Sequence, residues 1–368
     1  MRQCAQDWRR GIARDLSPLR PWARRFALVI EIDGSYGEGG GQLVRTAVAL
    51  SALTGRQLRL RNVRANRARP GLAAQHLAAI RAVAALCDAH CEGLELRAAA
   101  FTFEPRARPA GGELRADVGT AGSVTLVLQA LLPVLLAASA SSRIVVSGGT
   151  DVRQAPSWDY FCGVLLGLIA RMQLRVHASL VRRGYYPRGG GEVMLEVDPG
   201  VPAPLDLRSR ALSWRIGGEA HVANLPVTIA ERMRDAALAA LGREAAIGAR
   251  ALGPDEAAGT GGAITAWAES EAVLLGASHI AERGVRAEAL GEAVGREIAA
   301  NLASGATLDV HAADQVLVYL AMARSSSSFT ARTVSSHART AMWLIPQFLP
   351  VHFAIEEEVA LARISATP

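Results

Sequence analysis

The chain contains 368 residues, of which 50% are hydrophobic and 20% are charged, a composition typical of a packed globular protein and not of a disordered one. All 40 positively charged residues are arginines, which excludes a P-loop lysine, a lysyl-AMP intermediate and Schiff-base chemistry. The formal net charge of +6 favours an anionic partner, because arginine forms bidentate contacts with phosphate. A chain of this length predicts two domains, or one large domain that carries an insertion.

The N-terminal segment 1–25 is rich in arginine and shows little hydrophobic periodicity. We predict that it is a flexible extension outside the fold, and it lacks the continuous apolar run of a secretory signal. No hydrophobic run elsewhere reaches the length of a membrane-spanning helix, so we expect a cytoplasmic protein that does not bind membranes. Cys87 and Cys91 lack two further zinc ligands at a suitable spacing, and we interpret the cysteines as free thiols.

The fold is predicted to begin with a strand at 27–32. A glycine-bearing loop, Gly37–Gly41, then precedes an apolar helix, an arrangement in which backbone N–H groups can approach a phosphate. Glu38 in this loop would repel a phosphate unless it holds a divalent cation or a cationic side chain. The elements predicted next are a helix at 42–53, a strand at 57–63, a polar loop at 64–71 and a second helix at 72–89.

The order helix, strand, loop, helix occurs twice more, and three copies predict small α+β modules packed around a pseudo-threefold axis. The second copy comprises 123–138, 143–147, 148–156 and 157–172; the third comprises 312–323, 329–334, the loop 335–337 and 338–347. Between them we predict an α/β insertion with strands at 214–216, 263–269 and 272–277 and helices at 229–246 and 285–302. The predicted domains are a large one at 26–212 plus 306–368 and a small inserted one at 213–305.

Equivalent loops of packed repeats can converge on one crevice. The first loop carries Arg64 and Arg67, the second carries Asp151 and Arg153, and the third carries His337. A lone histidine is more often a structural residue, and arginines are usually solvated, so each residue by itself is weak evidence. Taken together, the repeat predicts a cationic cleft that contains a histidine.

The most specific segment is Arg183–Gly191, which reads RGYYPRGGG and which would by itself indicate no more than a glycine-rich hairpin. Together with Gly37–Gln42, Arg64–Arg67, Gly119–Gly122 and Gly148–Asp151, it resembles the RNA 3′-terminal phosphate cyclase family. The resemblance extends from about Ile30 to about Ile355. It implies a large domain of three βαβαβ-type modules, with a smaller α/β domain inserted before the helix of the third.

The resemblance also implies a reaction. ATP adenylates an enzyme histidine in the presence of Mg²⁺ or Mn²⁺, and the AMP then passes to the 3′-phosphate end of an RNA. The neighbouring 2′ hydroxyl attacks the activated phosphate, which gives a 2′,3′-cyclic phosphate and AMP. The implied partner is therefore an RNA 3′-phosphate end, and no obligate protein partner is implied.

Individual residues receive roles from the same resemblance. His337 is the nucleophile, Glu38 is the ligand of the divalent metal, and Arg45, Arg64 and Arg67 contact the phosphates. The residues implied to contact ATP are Gln75, Gln129, Pro156, His311, Ala312, Ala313, Asp314 and Gln315. The sequence departs from the family at His311, where many members carry an aromatic residue that would cover the adenine.

Two other functions stay open on sequence grounds. A non-catalytic RNA-binding assembly factor of the same fold is the chief alternative, although the presence of Glu38 and His337 argues against it. An enolpyruvyl-type transferase built on similar modules would favour lysine and arginine around a small substrate, and this chain has no lysine. Consumption of ATP distinguishes the three functions.

Overall fold

The computed structural model of the protein describes residues 29–207, 213–271, 273–357 and 359–368. Within these ranges the chain forms a mixed α/β fold in which helices pack beside four sheets. The flexible extension predicted at 1–25 lies outside the described residues, as do the first two residues of the strand predicted at 27–32.

The first part of the fold pairs two helices with a four-stranded sheet. Strand β1 (Ile30–Asp33) lies parallel to β2 (Leu58–Arg61), and in both strands buried aliphatic side chains alternate with exposed charged ones. Between them, α1 (Gly41–Thr54) ends at Gly55, whose φ of 69° is the left-handed conformation that glycine adopts without strain. The remaining elements are α2 (Ala74–Leu86), β3 (His90–Glu92) and β4 (Phe101–Glu104), and the strand order is β1-β2-β4-β3.

The second part contains two parallel strands, β5 (Gly112–Asp117) and β6 (Ser142–Gly148), joined by α3 (Val124–Leu136). Ser123 caps α3, because its hydroxyl accepts a hydrogen bond from the Leu126 amide at 3.2 Å. The helix predicted at 157–172 is built from α4 (Trp158–Tyr160), a π-helical turn (Phe161–Leu165) and α5 (Leu166–Arg171). Strands β7 (Val176–Gly184) and β8 (Gly191–Val197) follow as an antiparallel pair.

The inserted segment forms its own sheet with two helices beside it. Its elements are β9 (Arg215–Ala223), α6 (Val227–Leu241), β10 (Ala246–Leu252), β11 (Ala257–Ala258), β12 (Gly261–Glu269), β13 (Leu274–Ile280) and α7 (Ala287–Ser304). The sheet order is β10-β9-β12-β13, whereas β11 joins the second sheet, whose order is β11-β7-β8-β6-β5. The helix predicted at 229–246 was too long, because Gly242 ends α6 with a φ of 64°. Strand β10 was not predicted, because the predicted helix extended to its first residue, Ala246.

The C-terminal part comprises α8 (Val310–Met322), β14 (Ser327–Ala331), α9 (Ser336–Leu344), β15 (His352–Glu357) and β16 (Ala362–Thr367), with the strand order β14-β16-β15. The loop predicted at 335–337 was wrong. The Ser335 hydroxyl accepts a hydrogen bond from the Ala338 amide at 2.9 Å and caps α9. His337 therefore lies in the first turn of that helix, where its backbone is fixed.

Hydrophobic packing among the described residues falls into two main clusters. The larger one joins the first, second and C-terminal parts, and within it α1 packs against α2, α3 and α9. The smaller one lies between α6, α7 and the sheet of the inserted segment. The pseudo-threefold arrangement of modules stays a prediction. None of the described helices has the length and apolar character needed to cross a membrane.

Candidate active site

Three side chains that the sequence analysis singled out meet in direct contact. Nδ1 of His337 contacts Oε2 of Glu38, and Nη2 of Arg67 contacts Oε1 of the same carboxylate. The cluster is reachable from solvent, since the side chains of His337 and Arg67 are 41% and 39% exposed. The structure thus joins the loop before α1, the loop after β2 and the start of α9.

The backbone around this cluster favours negative charge. Glu38 lies three residues before Gly41, the first residue of α1, and His337 is the second residue of α9. The contact between them brings two helix N-termini together, and both carry unpaired amides and the positive end of a helix dipole. Such ends bind phosphate groups, so the site is suited to a polyanion such as a triphosphate.

His337 is held in its neutral form. Burial, followed by the positive charges of Arg45 and Arg67, lowers the pKa of His337 to about 4. Because Nδ1 faces a carboxylate oxygen, the single proton of the neutral ring belongs on Nδ1. Nε2 then keeps its lone pair, which is the requirement for a nucleophile.

Arg45 carries a buried positive charge behind the cluster, with only 7% of the residue exposed. Burial lowers the pKa of Arg45 to about 10, against the opposing effect of Asp314, so its guanidinium stays charged at neutral pH. Burial, and then Asp309, raises the pKa of Asp314 well above its usual range. Arg64 is half-buried and donates to the Gly71 carbonyl at 2.8 Å.

The residues predicted to contact ATP lie on several different elements of the fold. Arg45, Gln129, Asp314 and Gln315 line a cavity of about 40 Å³, and Gln129 donates to Gln315 at 2.8 Å. Complete ligand sites measure roughly 300–1,000 Å³. This cavity by itself is therefore too small to enclose a nucleotide.

Gln75 and Pro156 lie at the start of α3. The Gln75 side-chain oxygen accepts from the Ser123 amide at 3.3 Å, and the Pro156 carbonyl accepts from the Thr125 hydroxyl at 2.9 Å. No contact among the described residues joins either one to the Glu38 carboxylate.

His311, Ala312 and Ala313 form the first turn of α8. Asp309 caps this helix by accepting from the His311 and Ala312 amides at 2.9 and 3.0 Å. Ala312 and Ala313 are buried, whereas His311 is exposed. The positive charge of His311, when present, makes a minor contribution to the lowered pKa of His337.

His76, for which the sequence indicates no role, lies against the start of α1 beside the glycine loop. Its Nδ1 accepts from the Ala73 amide at 3.0 Å, and its Nε2 lies so close to Gly41 that a side chain there would collide with it. Burial, followed by Arg45 and Arg64, lowers the pKa of His76 to about 3. His76 directly follows Gln75, but only the packing of α2 against α1 shows that it supports the glycine loop.

The second of the three predicted loops does not reach the cluster. Asp151 and Asp159 both accept from the buried guanidinium of Arg183, at 3.0 Å and 2.7 Å respectively, and Arg153 pairs with Glu282 at 2.8 Å. Ligand atoms of Asp151, Asp159 and His221 lie within 4.8 Å of one another, a spacing that suits a metal. The guanidinium of Arg183 already neutralises both carboxylates there.

Comparison with known proteins gives a consistent result. A family model described as "RNA 3′-terminal phosphate cyclase" matches residues 36–355. Two proteins with that name, from Nitrosospira multiformis and Methanopyrus kandleri, are 52% and 42% identical to this chain, over 92% and 89% of it and 96% and 95% of their own lengths. The crystal structure of the enolpyruvyl transferase NikO from Streptomyces tendae overlaps 93% of this chain and 49% of that protein at 12% identity, with a TM-score of 0.37, too low to support an inference. By its matched length and its relatives, the chain belongs to the RNA 3′-terminal phosphate cyclase family.

Proposed function

We propose that this protein uses ATP to convert the 3′-terminal phosphate of an RNA into a 2′,3′-cyclic phosphate through a histidyl-AMP intermediate. The contact of His337 with Glu38, at the meeting point of two helix N-termini, is the observation that carries the proposal. The proposed substrate agrees with the names of the relatives. It also agrees with the excess of arginine, which suits anionic ligands.

In the first step, Nε2 of His337 attacks the α-phosphorus of ATP. An N–P bond forms, the bond to the β-phosphate oxygen breaks, and pyrophosphate leaves. Glu38 holds the proton on Nδ1 and compensates the positive charge that develops on the ring. Arg45, Arg67 and the first-turn amides of α1 and α9 stabilise the negative charge gathered on the phosphates.

The next two steps use the same charges. An oxygen of the RNA 3′-phosphate attacks the AMP phosphorus, which breaks the N–P bond and forms a phosphoanhydride. The ribose 2′ hydroxyl then attacks the RNA phosphorus, loses its proton and expels AMP. DNA lacks that hydroxyl, so the proposal restricts cyclisation to ends with a 3′-terminal ribose.

The residues at the site fit a divalent metal. Glu38 is a half-buried carboxylate beside the helix N-termini, and each of its oxygens keeps a lone pair for a cation besides its contact with His337 or Arg67. One carboxylate together with substrate phosphates and waters is a common ligand set for Mg²⁺. We propose that Glu38 holds Mg²⁺ or Mn²⁺, which when bound would offset charge on the triphosphate.

We propose that residues around this cluster recognise the nucleotide. Gln129, Asp314 and Gln315 would contact the nucleotide from the cavity side, and Gln75 and Pro156 from the start of α3. His311, followed by the buried Ala312 and Ala313, would cover the adenine with its ring. The exposure of His311 in the first turn of α8 supports this proposal.

Transfer of label from α-³²P-ATP to the folded protein tests the proposal. Wild type should retain an acid-labile, alkali-stable label after denaturing electrophoresis, and His337→Ala should lose it by at least a hundredfold. The matched control is His352→Ala, which removes an exposed histidine of β15 and should label like wild type. No label on folded wild type would overturn the enzyme proposal in favour of a non-catalytic RNA-binding protein.

A further inference from the structure

An aromatic pair lies beside the proposed active site and plays no part in the mechanism above. Tyr36 and Trp343 stack with ring centroids 3.7 Å apart and an interplanar angle of 14°. Trp343 is half-buried against the main hydrophobic cluster. Tyr36 is 43% exposed, and because Trp343 covers one face, that exposure belongs to its other face and edge.

The position of the pair is set by the loop that carries Glu38. Glu38 contacts His337, a side chain at Gly37 would meet the Thr340 hydroxyl, and Tyr36 covers Trp343. The loop therefore runs along the i, i+3, i+6 row of α9, one loop residue for each helix position. At a rise of about 1.5 Å per residue, Trp343 lies about 9 Å along the helix from His337. That span equals roughly two to three stacked nucleotides at about 3.4 Å each.

The loop is held in place without any ligand. Ser35 donates to Asp33 through its amide at 2.9 Å and its hydroxyl at 2.7 Å, and Asn66 donates to the Ser35 carbonyl at 2.9 Å. The Tyr36 ring is thus ordered before any ligand arrives. An ordered ring binds a nucleobase with less loss of entropy than a mobile one.

The surrounding charge suits a nucleic acid backbone. Arg59 and Arg61 lie on the exposed face of β2, and Asn62, which follows them, donates to Asp33 at 3.1 Å. Both arginines pair with Glu31 at the surface, and exposed pairs of this kind are weak. They can therefore turn to phosphates, and the loop that carries Tyr36 follows β1, the strand that pairs with β2.

We propose that the outer face of Tyr36, backed by Trp343, stacks a nucleobase within the last three nucleotides of a single-stranded RNA whose 3′ end lies at His337. Aromatic faces stack every base, so the subsite would hold the end of the RNA without selecting its sequence. The inference rests on the proposed function, because it takes the terminal phosphate to lie at His337.

The test compares Tyr36→Leu, which keeps an apolar side chain on Trp343, with Tyr36→Phe, which keeps the ring. Tyr36→Leu should raise the KM for a 3′-phosphorylated oligoribonucleotide by about 5- to 100-fold, the range that one stacked base provides. Tyr36→Phe should stay within about twofold of wild type. Formation of histidyl-AMP in the absence of RNA should be unchanged in both variants.

A spectroscopic readout locates the base. 2-Aminopurine is placed in turn at each of the last three positions of the RNA, and binding to wild type should quench its fluorescence at one of them. An abasic site at that position should weaken RNA binding by wild type. It should cause no further loss of RNA binding in Tyr36→Leu. Loss of histidyl-AMP formation in Tyr36→Leu with unchanged RNA binding would show that the pair only supports the loop. Equal quenching in wild type and Tyr36→Leu would also overturn the proposal.

Failure of the proposed function would be recognised separately. If wild type formed no histidyl-AMP, the binding and quenching measurements would still decide whether Tyr36 contacts RNA. If histidyl-AMP formed normally while Tyr36→Leu bound RNA like wild type, the stacking proposal alone would fail.

Discussion

The protonation state of one imidazole dominates the chemistry at the residue scale. With no lysine in the chain, a nitrogen nucleophile for adenylyl transfer has to come from histidine. His337 suits the proposed role because burial and two guanidinium groups keep it neutral, and because its contact with Glu38 would hold the proton on Nδ1 and leave Nε2 free. The surroundings thus select both the charge and the tautomer of the ring.

This protonation state predicts an unusual pH dependence. A lowered pKa means that the neutral ring persists as pH falls, so single-turnover histidyl-AMP formation should change by less than about twofold between pH 7 and pH 5, given a pKa of about 4. An unperturbed histidine would be only about 3% neutral at pH 5. Rapid-quench measurements from pH 5 to pH 8, with circular dichroism as a check of folding, would decide. A tenfold fall per pH unit below 6.5 would contradict the neutral, buried state.

Helix ends are the features that matter at the element scale. Gln75, His311 and His337 are each the second residue of a helix, α2, α8 and α9 respectively. A side chain at that position projects near unpaired amides and the positive end of the helix dipole. The proposed site therefore draws on helix starts, and a side-chain cap fixes the first turn of both α8 and α9.

The cap of α9 is open to a direct test. Ser335→Ala removes the acceptor for the Ala338 amide and the weak bond to Asp314 at 3.4 Å. It should lower the free energy of unfolding by about 1 kcal/mol and slow histidyl-AMP formation by about tenfold, because the His337 backbone is no longer fixed. Ser335→Asn keeps a capping oxygen and should behave like wild type in both assays. Urea denaturation and labelling together make the measurement, and equal rates in both variants would show that the cap does not position His337.

At the scale of the whole molecule, a buried charge network links the segment 213–305, which was predicted as an insertion, to the rest of the chain. Arg183 of β7 bonds Asp151 and Asp159, and His221 of β9 lies 3.5 Å from Asp159 without a hydrogen-bond partner on either ring nitrogen. We propose that 213–305 is a domain of its own, supported by its separate hydrophobic cluster. The network would then be its polar contact with the large domain, and it explains why Arg183–Gly191 is more than a hairpin.

The network predicts how stability responds to acid. Burial, and then Arg183, lowers the pKa of His221 to about 4, so between pH 6.5 and 4 the unfolded chain binds a proton that the folded chain does not. Stability should be constant above pH 6.5 and fall below it. His221→Met removes the effect, so from pH 6.5 to pH 5 wild type should lose about 2 kcal/mol more than the variant. The free energy of unfolding is measured by urea denaturation for both proteins at both pH values. An equal loss of stability in wild type and His221→Met would rule out a buried neutral His221.

Much of the local structure follows from the sequence alone. The alternation of leucine and arginine predicted β2, Gly55 predicted the end of α1, and the glycine and arginine motifs predicted the family. Local sequence signals were insufficient where a segment was compatible with two local structures. Two consecutive serines left the cap of α9 undecided, so His337 was assigned to a loop, and the helical pattern before Gly242 hid the start of β10.

Side-chain partnership was decided only by the tertiary structure. The sequence singled out Glu38, Arg67 and His337, but their contact depends on α1 packing against α9. It could not show that Asp151 pairs with Arg183 or that Tyr36 covers Trp343. The physical reason is that periodicity and capping act over a few residues and fix the elements. Distances between side chains far apart in the chain depend on how those elements pack, and those distances set the charge and reactivity of the site.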